Sequence, residues 1–307
     1  MAFRLRRSES VVQGLRRLAA KQLRAAIDEL RSVPPRDEAI HEARKRVKKA
    51  RAILQLVEAD GGKRLRKCRK RLRTVNRALT PLRDADASLE ILDRLRSKHP
   101  RLFSEHTFAR IKRELAERKR AAAEAAAGDR VWETIDEALR SVRKKVKRWT
   151  QEHRNFGAIA SGLRDTHRRG RKAMTRALKS GTAADFHEWR KAMKAFWYGL
   201  RLVERCGTRV RRDVAALRKA ETWLGDDHNL AVLCAELSKD ASVCGSAVDV
   251  DRLRLAADRE QCASRKQAIA AARPIYARSS RAYVHAVERA WIAFQRGGSQ
   301  RRPRTAA

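Results

Sequence analysis

Residues 40–57 read IHEARKRVKKARAILQLV, and residues 186–203 read FHEWRKAMKAFWYGLRLV. The two stretches align without a gap, and His187 follows His41 by 146 residues, close to half of the 307-residue chain. Further identities in this register are Glu42 with Glu188, Arg44 with Arg190, Lys45 with Lys191, Lys48 with Lys194, Leu54 with Leu200, Leu56 with Leu202 and Val57 with Val203. The sequence therefore predicts two similar halves built around one two-fold-related cationic site.

The repeat extends beyond these two stretches. The further matches are Gly14-Leu15-Arg16 with Gly162-Leu163-Arg164, Arg66-Lys67 with Arg211-Arg212, and Arg73 with Arg218. We predict a first half over residues 1–152, a second half over residues 153–296, and a flexible basic tail over residues 297–307.

Composition favours helix almost throughout. Ala, Leu, Arg, Lys and Glu dominate, and β-branched alternation is absent over any useful length. Breaks are predicted at Pro34-Pro35, Asp60-Gly61-Gly62, Thr80-Pro81, His99-Pro100, Gly128-Asp129, Gly181, Cys206-Gly207 and Arg273-Pro274. The fold class we expect is all-α, with two pseudo-two-fold-related antiparallel helical bundles.

The charge balance limits the possible partners. Lys and Arg number 74 against 36 Asp and Glu, which gives a formal net charge of +38. Such an excess strains a compact fold by self-repulsion unless a polyanion or counterions relieve it. Hydrophobic residues make up 43% of the chain, so a real core is expected as well. We therefore expect a folded protein with a polyanionic partner.

Other features exclude several classes of protein. The five cysteines contain no CxxC pair, so we expect free thiols in a reducing cytoplasm and neither disulfides nor a zinc site. No apolar run approaches the roughly 18 residues of a membrane span, and the start has no signal-peptide core. The sequence leaves the oligomeric state open.

Each repeated helix is expected to carry a cationic stripe. With about 100° of rotation per residue, His41, Arg44, Lys45 and Lys48 share one face, as do His187, Arg190, Lys191 and Lys194, extended by Tyr198 and Arg201. The opposite face of each helix is apolar. The stripes contain no acid, whereas a solvated helix face usually pairs Lys with Glu. A site for a densely charged anion is therefore the favoured interpretation.

The helix after the first repeat continues this pattern with Arg66, Lys70, Arg73 and Arg77. Basic stripes on neighbouring helices, duplicated, predict a central basic cavity, trough or pore. Arg is suited to phosphate because its planar fork donates two hydrogen bonds. The remaining candidate ligand residues are Arg16, Arg51, Arg164, Arg201, Arg211 and Arg218.

Two roles are open for His41 and His187. Either ring could donate to phosphate when protonated, because a dense anion would raise its pKa. Alternatively, each His could bond a neighbouring helix and so position the basic stripe. Metal binding is disfavoured, since Lys45 and Lys191 stand at the i+4 positions where a second ligand would be needed. We expect no metal and no cofactor.

The motif HExRKxxK in both halves, each followed by a basic helix, resembles the CHAD family, the conserved histidine α-helical domain. The resemblance covers about residue 9 to about residue 296. It implies two related helical bundles around a basic cavity that binds inorganic polyphosphate, and members are often found on polyphosphate granules. The family residues fall on His41, Arg44, Lys45, Lys48, Arg73, His187, Arg190, Lys191, Lys194 and Arg218.

Two departures make the predicted cationic lining lopsided, and a third concerns an acid. Gln55 corresponds to Arg201 in the repeat, and Lys70 and Arg77 correspond to Ala215 and Thr222. Asn229 occupies the position that corresponds to Asp84. Equal binding by the two halves is therefore not expected.

Three functions compete. The leading hypothesis is non-catalytic binding of inorganic polyphosphate, with association to polyphosphate granules in the cytoplasm. A nonspecific nucleic-acid-binding protein is the alternative, although aromatic platforms for single strands are scarce at 5% Phe, Trp and Tyr. An enzyme is disfavoured because no Walker-type loop occurs. The acids Asp84, Asp86, Asp226 and Asp227 are expected at helix starts, where Asp commonly caps.

Overall fold

The structure, a computed structural model, describes residues 3–31, 37–58, 62–125, 129–149, 155–239 and 247–297. In chain order its α-helices are α1 (Val11–Glu29), α2 (Asp37–Leu56), α3 (Gly62–Ala78), α4 (Thr80–Lys98), α5 (Glu105–Ala125), α6 (Asp129–Lys147), α7 (Gly157–Ser180), α8 (Ala183–Arg201), α9 (Thr208–Leu237), α10 (Ala247–Tyr276) and α11 (Ser280–Arg296). A short 3-10 helix, η1 (Glu204–Cys206), joins α8 to α9. No strand occurs within these ranges, so the all-α prediction is confirmed.

Local signals explain several helix ends. Ser10 and Gln13 form a reciprocal capping box at the start of α1, which satisfies backbone donors that have no partner inside the helix. Thr182 caps α8 in a similar way by accepting from the backbone N–H of Asp185. Gly181 ends α7 in the left-handed conformation at φ 67°, which a residue with a Cβ rarely adopts.

The two halves differ where the first contains a proline. α3 and α4 are separate helices that meet at Thr80-Pro81, whereas α9 runs unbroken through the corresponding stretch, where Asp226 replaces the proline. Asp226 and Asp227 therefore lie in the middle of a helix, and the prediction that they mark a helix start is wrong. A second correction concerns Pro274, which lies inside the last turn of α10 and does not end the helix before it.

Two hydrophobic cores organise the molecule. The larger core takes residues from Phe3 to Trp291 and includes buried side chains of α1, α2, α3, α6, α7, α8, the first half of α9, the end of α10 and α11. The smaller core lies between α4, α5, the second half of α9 and the first half of α10. Both cores contain residues from both repeats. The division at residues 152 and 153 stays a prediction, and the stretches 150–154 and 298–307 lie outside the described residues.

Gly162, the glycine of α7 that matches Gly14, lies at a close crossing of two helices. A Cβ built on Gly162 would stand 2.0 Å from the carbonyl oxygen of Leu56 and 2.4 Å from its Cα. Only a glycine allows the backbone of α7 to approach the end of α2 this closely. This contact fixes the position of α2 relative to the second half of the chain.

Candidate functional site

The apolar faces of the repeated helices are buried as predicted. On α2 these are Ala43, Val47, Ala50, Leu54 and Val57, and on α8 and just beyond it Trp189, Met193, Phe196, Leu200 and Val203. Because this apolar packing fixes the rotation of each helix, the cationic side chains are turned away from the helix's own core.

The cationic faces of α2 and α8 meet each other. Burial lowers the pKa of Lys48 to about 7, and the charges of Lys194, Arg44 and Arg190 contribute in the same direction. Burial also lowers the pKa of Lys194. We call Arg44, Lys48, Arg190 and Lys194 the central cationic cluster. It contains two residues from each repeat.

Glu221 of α9 supplies a carboxylate to this cluster. Its Oε1 accepts a hydrogen bond from Nη2 of Arg190 at 2.9 Å and a second from Nζ of Lys194. Burial alone would raise the pKa of the Glu221 carboxyl, but Lys194 and Arg190 outweigh that effect and lower it. Lys48 has no ion-pair partner within the described ranges. Glu221 is thus bonded to the second-half pair of the cluster, and it also acts electrostatically on Lys48.

Arg44 has a structural contact as well as a position in the cluster. This buried side chain donates from Nη1 to the carbonyl oxygens of Leu79 at 2.8 Å and Thr80 at 2.9 Å. These carbonyls lie at the junction of α3 and α4, where helical partners are missing. Arg190, at the corresponding position of α8, instead bonds Glu221 and packs against Gly225.

His187 contacts a second histidine that the repeat alone did not single out. Its ring lies 3.8 Å, centroid to centroid, from that of His228 on α9. Burial, then His187, Arg190 and Lys191, lower the pKa of His228 to about 4. Burial, then Lys191 and Arg190, lower the pKa of His187. Both rings are therefore neutral near pH 7, and Nδ1 of His187 is buried without a hydrogen-bond partner among the described residues.

The acids next to the stripes are closer to them than the helical wheel suggested. Glu42 forms an ion pair with Lys45, and Glu188 forms one with Lys191 at 2.6 Å. Although the stripes themselves contain no acid, one lysine of each stripe therefore has a carboxylate partner. Both pairs span i to i+3 on exposed or partly exposed side chains, where such contacts contribute little to stability.

A second group of cations continues from the cluster along α2 and α8. Burial, then Arg46, Arg201 and Lys45, lower the pKa of Lys49 to about 8. The Arg201 guanidinium lies over the rings of Trp197 at 5.0 Å and Phe3 at 5.6 Å from their centroids. Tyr198 is buried among these groups.

The predicted stripe on α3 is exposed along its length. Arg66, Lys70, Arg73 and Arg77 all face solvent, and Arg66 pairs with Glu58 at 3.1 Å. Arg51 of α2 is partly buried, and burial together with the charges of Arg69 and Arg73 lowers its pKa. The positive surface is thus continuous from α2 onto α3.

The remaining predicted residues lie in different environments. Arg211 and Arg218 are exposed on α9. Arg16 donates to the backbone carbonyl of Trp149 at 3.0 Å and so ties α1 to the segment after α6. Arg164 is exposed on α7, in a groove lined also by Arg281, His285 and Glu288 of α11.

Two of the four acids predicted at helix starts form ion pairs with arginines of other helices. Asp226 pairs with Arg94 of α4 at 2.5 Å, and the fully buried Asp227 pairs with Arg265 of α10 at 2.5 Å. The side chains of Asp84 and Asp86 lie outside the described residues. In the described ranges no group of three or more His, Cys, Asp or Glu could hold a metal ion. Those ranges also contain no helix that is both long and apolar enough to cross a bilayer.

Comparisons with known proteins place this architecture in a family. The sequence model of the CHAD domain matches residues 15–238, and the chain belongs to the CHAD family. The fold is similar to the crystal structure of the CHAD domain from the plant Ricinus communis, with a TM-score of 0.58 and 17% identity over 95% of each chain. No curated protein matches the chain. The family is associated with polyphosphate binding and is in general a non-catalytic binding fold.

Sequence reasoning missed three residues of the site. Glu221, His228 and Lys49 all contact or act on residues of the stripes, but none belongs to the repeated motif. Glu221 corresponds to Asn76 at the 145-residue spacing that relates Arg73 to Arg218. The change from an amide in the first half to a carboxylate in the second was the signal in the sequence that could have identified Glu221, because it changes the charge at a matched position of the basic helix.

Proposed function

We propose that this protein binds inorganic polyphosphate without catalysis, through the central cationic cluster and the basic surface around it. The observation that carries the proposal is the partly buried contact between the cationic faces of α2 and α8, where Arg190 and Lys194 bond the carboxylate of Glu221 and the charges of Arg44, Arg190 and Lys194 act on Lys48. Such a group of like charges costs free energy in the absence of an anion. A polyanion removes that cost when it binds.

Unused hydrogen-bond donors support a phosphate ligand. Nε of Arg190 and Nε of Arg51 are buried without partners among the described residues. Phosphate oxygens accept strong, charge-assisted hydrogen bonds from guanidinium groups. The exposed stripe on α3, whose Arg73 acts on Arg51 three residues after Lys48 on α2, offers further contacts to a ligand that extends over several phosphates.

Binding and selectivity are measured by competition at near-physiological salt. Labelled long-chain polyphosphate, bound to the full chain, is challenged with duplex DNA, single-stranded RNA and orthophosphate. We expect nucleic acids to displace polyphosphate only at a large excess of charge. If DNA displaces polyphosphate at equal charge, the protein, with its net charge of +38, binds polyanions without selectivity. Nonspecific nucleic-acid binding is then the better description.

A matched pair of variants tests the location of the site. Lys48→Gln combined with Lys194→Gln removes two charges from the cluster, and Arg259→Gln combined with Arg289→Gln removes two charges from exposed positions of α10 and α11. We expect the cluster variant to weaken polyphosphate binding by about tenfold or more. The slope of log affinity against log salt should fall in magnitude by about 1.5. Equal effects of the two variants would contradict the proposal.

We also propose association with polyphosphate granules in the cytoplasm. A fluorescent fusion of the full chain should colocalise with granules in cells that accumulate polyphosphate. The Lys48→Gln, Lys194→Gln variant should become diffuse while the control variant stays on the granules.

A further inference from the structure

Glu221 occupies an anion position inside the cluster. Its carboxylate bonds an arginine and a lysine one helical turn apart on α8, which is the arrangement that would hold a single phosphate group. The side chains of Arg190, Lys194 and Glu221 are all partly buried, with relative exposures of 24%, 22% and 14%. The arginine–lysine subsite is therefore already filled by a carboxylate of the protein itself.

At the position that corresponds to Glu221, the first half has an amide instead of a carboxylate. Asn76, the residue that corresponds to Glu221, is neutral, and its side-chain oxygen is buried without a hydrogen-bond partner in the described part of the chain. Lys48, which corresponds to Lys194, has no ion-pair partner there. The cluster thus contains an arginine–lysine subsite filled from within, on α8, and on α2 a lysine without an ion-pair partner among the described side chains.

We propose that Glu221 is a specificity-determining residue that excludes small phosphate anions from the arginine–lysine subsite. This inference rests on the proposed function of the cluster. A tethered carboxylate competes at an effective concentration of at least about millimolar, so free orthophosphate at lower concentrations does not displace it. A long polyanion does not need this subsite, because it can bind Lys48 and extend along the exposed stripe of α3.

The difference in charge between small phosphates and long-chain polyphosphate explains why Glu221 excludes only the small anions. Orthophosphate or pyrophosphate has few charges and depends on one well-built subsite for its affinity. Long-chain polyphosphate gains from many contacts and from the release of many counterions. Filling one subsite therefore removes most of the affinity for a small anion and little of the affinity for a long one.

The test compares Glu221→Gln with Glu114→Gln, which removes the same charge from the pair with Arg118 on α5. Calorimetric titration measures orthophosphate, pyrophosphate and long-chain polyphosphate against each full-length variant. We expect Glu221→Gln to gain about tenfold or more in affinity for the two small anions and about threefold or less for the long chain. Glu114→Gln should bind all three as the unmodified protein does.

A second variant guards against a folding defect. Glu221→Asn installs the residue that the first half carries at the corresponding position, and thermal unfolding monitors the fold of both variants. The inference is overturned if folded Glu221→Gln and Glu221→Asn bind small phosphates no better than the unmodified protein, or if long and short anions gain equally. It is also overturned if both variants fail to fold, because Glu221 is then required for structure.

These outcomes are separable from failure of the proposed function. If the Lys48→Gln, Lys194→Gln variant loses polyphosphate binding while Glu221→Gln leaves small anions unaffected, only the inference is wrong. If the cluster variant binds polyphosphate normally, the proposed binding site is wrong, and if DNA competes with polyphosphate at equal charge, the proposed function is wrong. A gain of orthophosphate binding by Glu221→Gln would then still establish the filled subsite.

Discussion

At the scale of single residues, the most informative group is Lys48. An ammonium whose pKa lies at about 7 is about half protonated near neutral pH, whereas an exposed lysine is fully charged. A bound polyanion favours the charged form and therefore raises this pKa. Ligand binding and protonation of Lys48 are thus linked.

The linkage has a definite sign. Above pH 7 the free protein has lost the Lys48 proton that the bound protein keeps, so binding takes up a proton and weakens as pH rises. We expect log affinity for polyphosphate to fall with a slope approaching −1 between about pH 7 and 9. Calorimetry in two buffers of different ionisation enthalpy measures the proton uptake directly.

Lys48→Met is the variant that checks this assignment. It removes the titrating ammonium and should flatten the pH profile above neutrality while it weakens binding at pH 7. A profile as steep in Lys48→Met as in the unmodified protein would assign the proton to another group, of which Lys49, with a pKa of about 8, is the nearest in value.

Residue roles were only partly accessible from the sequence. The helical period correctly places Lys48 and Lys194 on cationic faces, because 100° of rotation per residue fixes which side chains share a face. It does not report what a face touches. Arg44 bonds the carbonyls of Leu79 and Thr80, whereas Arg190 bonds a carboxylate. These partners depend on tertiary packing, which no local pattern encodes.

At the scale of helices, the crossing of α7 over α2 is the tightest constraint. Gly162→Ala would place a methyl group 2.0 to 2.6 Å from backbone atoms of Leu56, which cannot move aside as a flexible side chain could. We expect a loss of about 3 kcal/mol in the free energy of unfolding, measured by denaturant titration.

Gly207→Ala is the matched control. A Cβ there would meet only Ala290 at 3.8 Å, an ordinary contact, and the φ of 177° is accessible to any residue. We expect a change within about 0.5 kcal/mol. Equal losses of unfolding free energy in the two variants would mean that Gly162 is not required for the close approach of α7 to α2.

The predicted breaks at Gly181 and Pro81 are helix ends, whereas the predicted break at Pro274 lies inside the last turn of α10. Gly181 ends α7 through its left-handed backbone, and Pro81 divides the first half's helix near Thr80. The continuation of α9 through Asp226 and Asp227 was misjudged because Asp favours caps on average. Here two arginines from other helices stabilise these acids within the helix, and such partners cannot be read from local sequence.

At the scale of the whole molecule, the family match ends before the fold does. It covers residues 15–238, yet α10 and α11 supply Tyr276, Tyr283 and Trp291 to the larger core. The fully buried His167 of α7 also depends on this region, since its ring nitrogens lie 2.8 Å from Oγ of Ser280 and 3.2 Å from the carbonyl oxygen of Ile275.

A chain ended after Ser238 should therefore fail to fold cooperatively. Without α10 and α11, both cores lose a wall and His167 loses its partners. We expect differential scanning calorimetry to show no cooperative transition, while far-ultraviolet dichroism retains part of the helical signal. A chain ended after Gly297 should unfold at the temperature of the full chain. A cooperative transition in the shorter chain would show that the domain is complete at residue 238.

The larger core also has a consequence for the order in which the protein can mature on the ribosome. The backbone N–H of Leu5 bonds the carbonyl oxygen of Leu202, and the core that begins at Phe3 is closed by Trp291. During synthesis, the apolar faces of the first helices emerge long before the residues that cover them. The nascent chain therefore carries exposed apolar surface and unscreened positive charge together until α11 has emerged and covers the core.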